Sequence, residues 1–259
     1  MAPTGHEGPS RILILDVGGS HVKAAFSDSA RERRVPSGSR LTPERMIRRL
    51  SKLLTGEVYD AVAMGYPGLV VHGRIAREPH NLGAGWVGFD FEEAFGCPVR
   101  IVNDAAMQAL GSYRGGHMLF LGLGTGLGSA MIVEGRLQPM ELAHLPYKKG
   151  RSFEEYVGEA SLRRLGRRKW QREVYRVVEL LEAALEPDEV VLGGGNVRKL
   201  DRLLPGVRRG DNREAIVGGV RLWGGSAWPG FPATGPEVFR TTPHHRSPKR
   251  TPARARRSR

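Results

Sequence analysis

The sequence of 259 residues is short of several things, and each shortage removes a class of explanation. It has a single cysteine, Cys97, so no disulfide can close within the chain and a cysteine-rich zinc site is excluded. A cytoplasmic setting is the simplest expectation from that usage. No apolar run reaches the ~18–20 residues that a membrane-spanning helix needs. The first apolar stretch, residues 12–15, follows a polar opening and is too short for the core of a signal peptide. Acid is also scarce: 27 Asp and Glu stand against 40 Lys and Arg, a net charge of +13. Residues 224–259 hold eight of those cations and one acid, Glu237, which leaves about +6 on the rest. A basic body suits an anionic substrate. The last 36 residues lack apolar periodicity and are rich in Pro, Gly, Ser, Thr and Arg. That composition predicts a disordered basic tail, either a plain solvated extension or a segment that touches nucleic acid. Nucleic acid is expected nowhere else.

What remains between residues 11 and 223 alternates short β-branched runs with helical periodicity, which predicts an α/β fold. Strands are expected at 11–17, 21–26, 61–65, 99–102, 118–123, 129–133 and 190–192. Helices are expected at 42–54, 105–113, 173–185 and 213–222. In the first of these Thr42 serves as N-cap, Pro43 takes the first turn, and Met46, Ile47, Leu50, Leu53 and Leu54 share a face.

Three glycine clusters each follow a predicted strand: Gly18-Gly19-Ser20 after Asp16, Gly124-Thr125-Gly126-Leu127-Gly128, and Gly193-Gly194-Gly195. Glycine lets a backbone turn sharply and approach a ligand closely. Successive exposed N–H groups then form a nest for anions. One cluster is ordinary turn chemistry; three in this order point to phosphate. Asp16 stands where a carboxylate can hold Mg²⁺ through water. Lys23 is either a point charge for phosphate or a plain surface lysine. Asn103-Asp104 sits where a strand gives way to a helix, so Asp104 is either an N-cap or a base for an attacking hydroxyl. Asn103 can both donate and accept, which suits a polyhydroxylated substrate. Glu141 and His144, three apart, can point at one ligand. The run Arg163, Arg164, Arg167, Arg168, Lys169 and Arg172 is either a solvated face or a track for a polyanion.

The ordered set Asp-x-Gly-Gly-Ser-x-x-Lys, Gly-x-Pro-Gly, Asn-Leu with a following Trp, Asn-Asp-Ala, Gly-x-Gly-Thr-Gly-x-Gly, Glu-x-x-His and a late Gly-Gly-Gly resembles the ROK (repressor, open reading frame, kinase) sugar kinases. Within them it is most similar to the polyphosphate glucokinases. The resemblance implies a two-lobed actin-like ATPase (ribonuclease H-like) fold with a central cleft. It implies an N-terminal lobe over 11–103 joined by a returning helix at 211–223, and a C-terminal lobe over 104–210. It implies a hexokinase-type phosphotransferase acting on the 6-hydroxyl of a hexose, glucose first, with polyphosphate or ATP as donor and Mg²⁺ as cofactor. Asp104 would be the catalytic base. Asn81, Asn103, Glu141, His144 and Glu154 would bind the sugar with it. Asp16, Gly18, Gly19, Ser20 and Lys23, then Gly124, Thr125, Gly126 and Gly128, would bind phosphate, and Gly193, Gly194 and Gly195 would face the nucleotide. A homodimer is compatible with the resemblance. Two departures stand out. Ala143 replaces the glycine of the Glu-x-Gly-His pattern, and residues 145–151 lack the cysteines of zinc-type members, so no structural zinc is expected. The other reading is a non-catalytic sugar sensor on the same fold.

Overall fold

Two five-stranded sheets organise the computed structural model, which describes residues 8–211 and 213–224. The first half runs β1 (Ile12–Val17), β2 (His21–Phe26), β3 (Ser29–Pro36), α1 (Pro43–Leu53), β4 (Ala61–Tyr66), a small hairpin of β5 (Val70–Val71) and β6 (Arg74–Ile75), α2 (Phe91–Phe95) and β7 (Val99–Asn103). Its sheet has the order β3-β2-β1-β4-β7. β1, β2 and β3 form an antiparallel meander, whereas β4 and β7 run parallel to β1. Parallel neighbours need a crossover, and α1 supplies the one into β4. Thr42 does cap α1, accepting from the Arg45 N–H, with Pro43 in the first turn. β3 was not expected. Its Ser-Ala-Arg-Glu-Arg-Arg core carries charges that suit a solvent-facing edge strand and hide the period-two signal.

The second half runs α3 (Asp104–Ser112), β8 (His117–Leu123), β9 (Leu127–Val133), β10 (Arg136–Met140), a 3-10 turn at Leu142–His144, α4 (Glu154–Val157), α5 (Glu159–Leu165), α6 (Arg167–Leu185), β11 (Glu189–Gly193), a 3-10 turn at Gly195–Lys199, β12 (Val207–Arg209) and α7 (Glu214–Trp223). The order β10-β9-β8-β11-β12 repeats the plan of the first sheet: a meander, then two parallel strands. α6 begins at Arg167, six residues before the expected start. Trp170 and Gln171 are buried there, extending the stripe of Val174, Val177, Val178 and Leu181 into the basic run. The run itself does not lie on one helix. Gly166, at φ +74°, ends α5 and turns the chain into α6, a backbone region that favours glycine.

Between the sheets lie α3 and α7. The core around them joins Ile12 and Ile14 of β1 to Met107, Leu110, Phe120, Ile132, Val191 and Leu222. α7 packs on α3, β1 and β4. The crossing is close: a methyl on Gly218 would overlap the Met107 carbonyl, and one on Gly111 would overlap the Glu214 carbonyl. Two further cores cover the outer faces, one under α1 and one under α6. Of the tail expected at 224–259, everything after Gly224 lies outside the described residues. No described helix is long and apolar enough to cross a membrane.

Candidate active site

Asp104 opens α3 where the two halves of the chain meet. The cap of this helix is Asn103, one residue earlier than the alternative role offered for Asp104. Asn103 Oδ1 accepts from the N–H groups of Ala105 (2.9 Å) and Ala106 (3.3 Å). Its Nδ2 donates to the Gly68 carbonyl at 3.1 Å, so the Gly65-Tyr66-Pro67-Gly68 turn is tied to the helix start. That leaves the Asp104 carboxylate with one backbone partner, the Ala105 N–H at 2.8 Å. Asp104 is half-buried by surface area but densely ringed by protein. Burial pushes its carboxyl up from 3.8 to about 7; the charge of Asp16 and, more weakly, that of Glu141 add to this, and backbone hydrogen bonds partly oppose it. Three carboxylates from β1, α3 and the end of β10 therefore converge electrostatically. A carboxyl poised near neutrality can take a proton and later release it.

The first glycine cluster is the turn of the β1–β2 hairpin. The Gly18 N–H bonds the His21 carbonyl at 3.0 Å, the Ser37 hydroxyl donates to the Gly18 carbonyl at 2.6 Å, and the Ser37 N–H bonds the Ser20 carbonyl at 2.9 Å. Gly19 and Ser20 are exposed. Asp16 and Lys23 are direct cross-strand partners, and Lys23 Nζ donates to Asp16 Oδ2 at 2.8 Å. Lys23 thus sits as the partner that shields the Asp16 charge. Asn81 stands over the same turn, since a Cβ on Gly19 would lie 3.4 Å from the Asn81 Cβ.

The second cluster is the matching turn of the β8–β9 hairpin. It approaches the Asp104 end of α3, where a Cβ on Gly128 would come 2.7 Å from that of Ala105. Thr125 is exposed at its tip. The third cluster closes against it: Gly194, at φ +81°, lies against the Leu123 backbone with no room for a side chain. Asn196, which the sequence reading passed over, donates from Nδ2 to the Gly124 carbonyl at 3.0 Å and is 7% exposed. A polar residue directly after a glycine cluster, beside the apolar Val197, was the available signal.

Glu154 does not stand free beside the other sugar-side candidates. Its Oε2 accepts from the Leu127 N–H at 3.2 Å and packs against Gly126, so it braces the second glycine turn. Glu141 and His144 lie 3.8 Å apart, beyond hydrogen-bond reach, and both are at least half exposed. Ala143 between them is 3% exposed, its methyl absorbed into the core under α6 rather than facing the site. Among the described residues no three His, Cys, Asp or Glu side chains group to hold a metal. Among the described residues Asp16 is the one that would hold Mg²⁺, through water, because Mg²⁺ keeps most of its water and needs few protein ligands.

Two glycine hairpins on sheets of the same strand plan, with a carboxyl at the start of the helix between the sheets, constitute the actin-like ATPase plan. Residues 12–139 match the ROK family. The chain belongs to the ROK family. This ROK protein is 29% identical over 225 residues to the polyphosphate glucokinase of Mycobacterium tuberculosis, covering 78% of this chain and 83% of that one. It is 33% identical over 141 residues to the N-acetylmannosamine kinase of Citrobacter koseri, 48% of each chain. Among solved structures it is similar to the inorganic polyphosphate/ATP-glucomannokinase of Arthrobacter sp. strain KM, with a TM-score of 0.71 at 25% identity over 83% of this chain and 97% of that one. A ROK glucokinase of Streptomyces griseus, solved with glucose and AMPPNP, shares the fold with a TM-score of 0.67 at 17% identity, over 83% and 99% of the two chains.

Proposed function

We propose that this ROK protein is a hexokinase-type sugar kinase that moves a phosphoryl group from polyphosphate or ATP to the 6-hydroxyl of a hexose, with glucose the first candidate. The observation that carries this is Asp104: a carboxyl raised to about 7, between two glycine hairpins, at the junction of the sheets. In the proposed step Asp104 accepts the hydroxyl proton as the sugar oxygen attacks the terminal phosphorus. The new O–P bond forms as the bond to the rest of the donor breaks, and the shortened donor leaves with that electron pair. Backbone N–H groups of Gly19, Ser20, Thr125 and Gly126 offer donors for the phosphate oxygens, while those of Gly18, Gly124 and Leu127 are bonded within their turns. Mg²⁺ held near Asp16 would supply charge neutralisation on the donor. Asn81, Glu141 and His144 face the sugar from the two sides of the cleft. Asn103 acts by holding Gly68 and the start of α3 together. The lobes proposed to close on one another are 11–103 with 211–223, and 104–210. Closure would keep water from competing with the sugar.

Polyphosphate use is favoured by the start of α6. Arg163 is paired with Glu159 at 3.9 Å and Arg167 with Asp201, but Arg168 and Lys169 are exposed and carry no ion pair among the described residues. A coupled assay crossing glucose, mannose and other hexoses with ATP and polyphosphate tests the whole reading, with Asp104→Asn as control. Sugar-dependent turnover that falls on the order of 10²-fold in the folded Asp104→Asn protein is the expected result. Sugar binding with no transfer from either donor would mark a sensor and refute the kinase. Reversing the charge of Arg168 and Lys169 should raise KM for polyphosphate and leave that for ATP unchanged.

A further inference from the structure

Residues 145–152 form a small hairpin that the proposed reaction does not use. Its stems bond through the Tyr147 N–H to the Arg151 carbonyl (2.8 Å) and the Phe153 N–H to the Leu145 carbonyl (3.0 Å), with Pro146 and Ser152 bridged between them. One stem leads out of His144, at the end of the turn that follows Glu141. The other leads into Glu154, which braces the second glycine turn. Whatever holds this hairpin therefore bears on Glu141 and His144, while Glu154 keeps its own bond to the Leu127 N–H.

The hairpin is held from α6. Glu173 Oε2 accepts from the Tyr147 hydroxyl at 2.9 Å and from Lys148 Nζ at 2.7 Å. Lys148 also lies over the Tyr147 ring, 4.5 Å from its centroid. The Tyr147 ring meets Phe153 at 5.2 Å and Tyr156 edge-on at 5.1 Å. One turn earlier on α6, Trp170 Nε1 donates to the Val157 carbonyl at 2.7 Å and fixes the far end of α4. Trp170 and Glu173, three residues apart, share a helix face, so a single face of α6 grips the segment at both ends. Burial pushes the Glu173 carboxyl up, but its bonds to Lys148 and Tyr147 outweigh that and hold it below its ordinary value, so it stays charged at neutral pH. A hydroxyl and an ammonium on one carboxylate oxygen are charge-assisted bonds of the stronger sort. Phe153 and Trp170 are buried in the core without help from Glu173, which is itself 21% exposed in its side chain. Loss of the Glu173 contacts would loosen the hairpin while leaving the core packed.

We propose that Glu173, through Tyr147 and Lys148, is a positioning residue for the sugar side of the site, fixing the 145–152 hairpin and with it Glu141 and His144. The inference rests on the sugar-kinase reading above. None of Glu173, Tyr147 and Lys148 is placed in the binding machinery, so a defect in their variants reports position.

The test is steady-state kinetics of the full chain with the sugar and donor that the wild type turns over best, together with melting temperatures. Glu173→Ala should raise KM for the sugar about tenfold, given how steeply a site responds to displacement of its ligands, with KM for the donor within twofold and melting within a few degrees of wild type. Tyr147→Phe, a milder change, should raise sugar KM by less. Exchanging the charges in Lys148→Glu with Glu173→Lys should recover most of the loss that either single change causes. An unchanged sugar KM in Glu173→Ala overturns the proposal. So does a parallel rise in both KM values with a lowered melting temperature, which is the signature of general loosening, and so does a charge exchange no better than the single variants. If Glu173→Ala does not fold, Tyr147→Phe decides by the same criteria. A wild type that phosphorylates no sugar refutes the functional reading itself and removes the basis of this one.

Discussion

The elevated carboxyl of Asp104 has a direct kinetic consequence. The proposed base must be ionised to accept a proton, so on that proposal turnover should follow the deprotonated fraction of Asp104. With its carboxyl at about 7, that fraction rises from about one-tenth at pH 6 to about nine-tenths at pH 8. We therefore expect kcat/KM for the sugar to climb about tenfold across this interval and then level off. The same displacement, from 3.8 to about 7, corresponds to about 4 kcal/mol of disfavoured charge as a ceiling, reduced by the solvent that still reaches this half-buried side chain. Because the folded-state value lies above the unfolded one, Asp104 contributes stability that is fully present below about pH 4. It is lost progressively as pH rises through 7. Asp104→Asn removes that liability and keeps an acceptor for the Ala105 N–H. It should melt above wild type at pH 8, with the gap shrinking through pH 5 and closing near pH 4, while losing activity throughout. The Coulomb part of the effect supplies a second sign. Glu141→Gln removes one of the negative neighbours and should move the rising limb of kcat/KM to lower pH. The assay is initial-rate kinetics from pH 5.5 to 9 in buffers of constant ionic strength, with melting curves alongside. A flat profile between pH 6 and 8, a fall with rising pH, or a limb that moves upward in Glu141→Gln would refute the reasoning.

Two further outcomes follow from contacts around the site. Lys23→Met removes the ammonium 2.8 Å from Asp16; the bare Asp16 charge should then push the Asp104 limb to higher pH, read from the same profile, and a shift in the other direction would show that Lys23 does not act as its shield. Gly218→Ala places a methyl on the Met107 carbonyl at the α3–α7 crossing, and should cost about 1–3 kcal/mol in chemical denaturation; a cost near zero would mean that the crossing is looser than the backbone contact implies.

Part of this site is legible in one dimension. The three glycine clusters were visible because each follows a strand whose buried run is continuous, and β1, β8 and β11 are such runs. Asp104 was visible because it falls at a strand-to-helix switch between two of those clusters. β3 was not, since its charges follow the edge rather than the core. The start of α6 was not either, because the cations around Trp170 obscured a stripe that continues beneath them.

Local pattern thus determined which backbone turns exist, which carboxylate ends up beside them, and that the body is basic. Tertiary structure decided what the polar side chains do. Asn103 took the cap and left Asp104 with the Ala105 N–H as its hydrogen-bond partner, because the chain enters the helix one residue early. Glu154 turned to a backbone amide 27 positions away, and Glu173 closed on Tyr147 and Lys148 across 26 and 25. The Asp104 carboxyl rose through desolvation and through Asp16, a charge 88 positions earlier in the chain. Helix and strand preferences act over a few neighbours, whereas hydrogen bonds, burial and Coulomb energy depend on distance in space, and only the folded chain sets that distance.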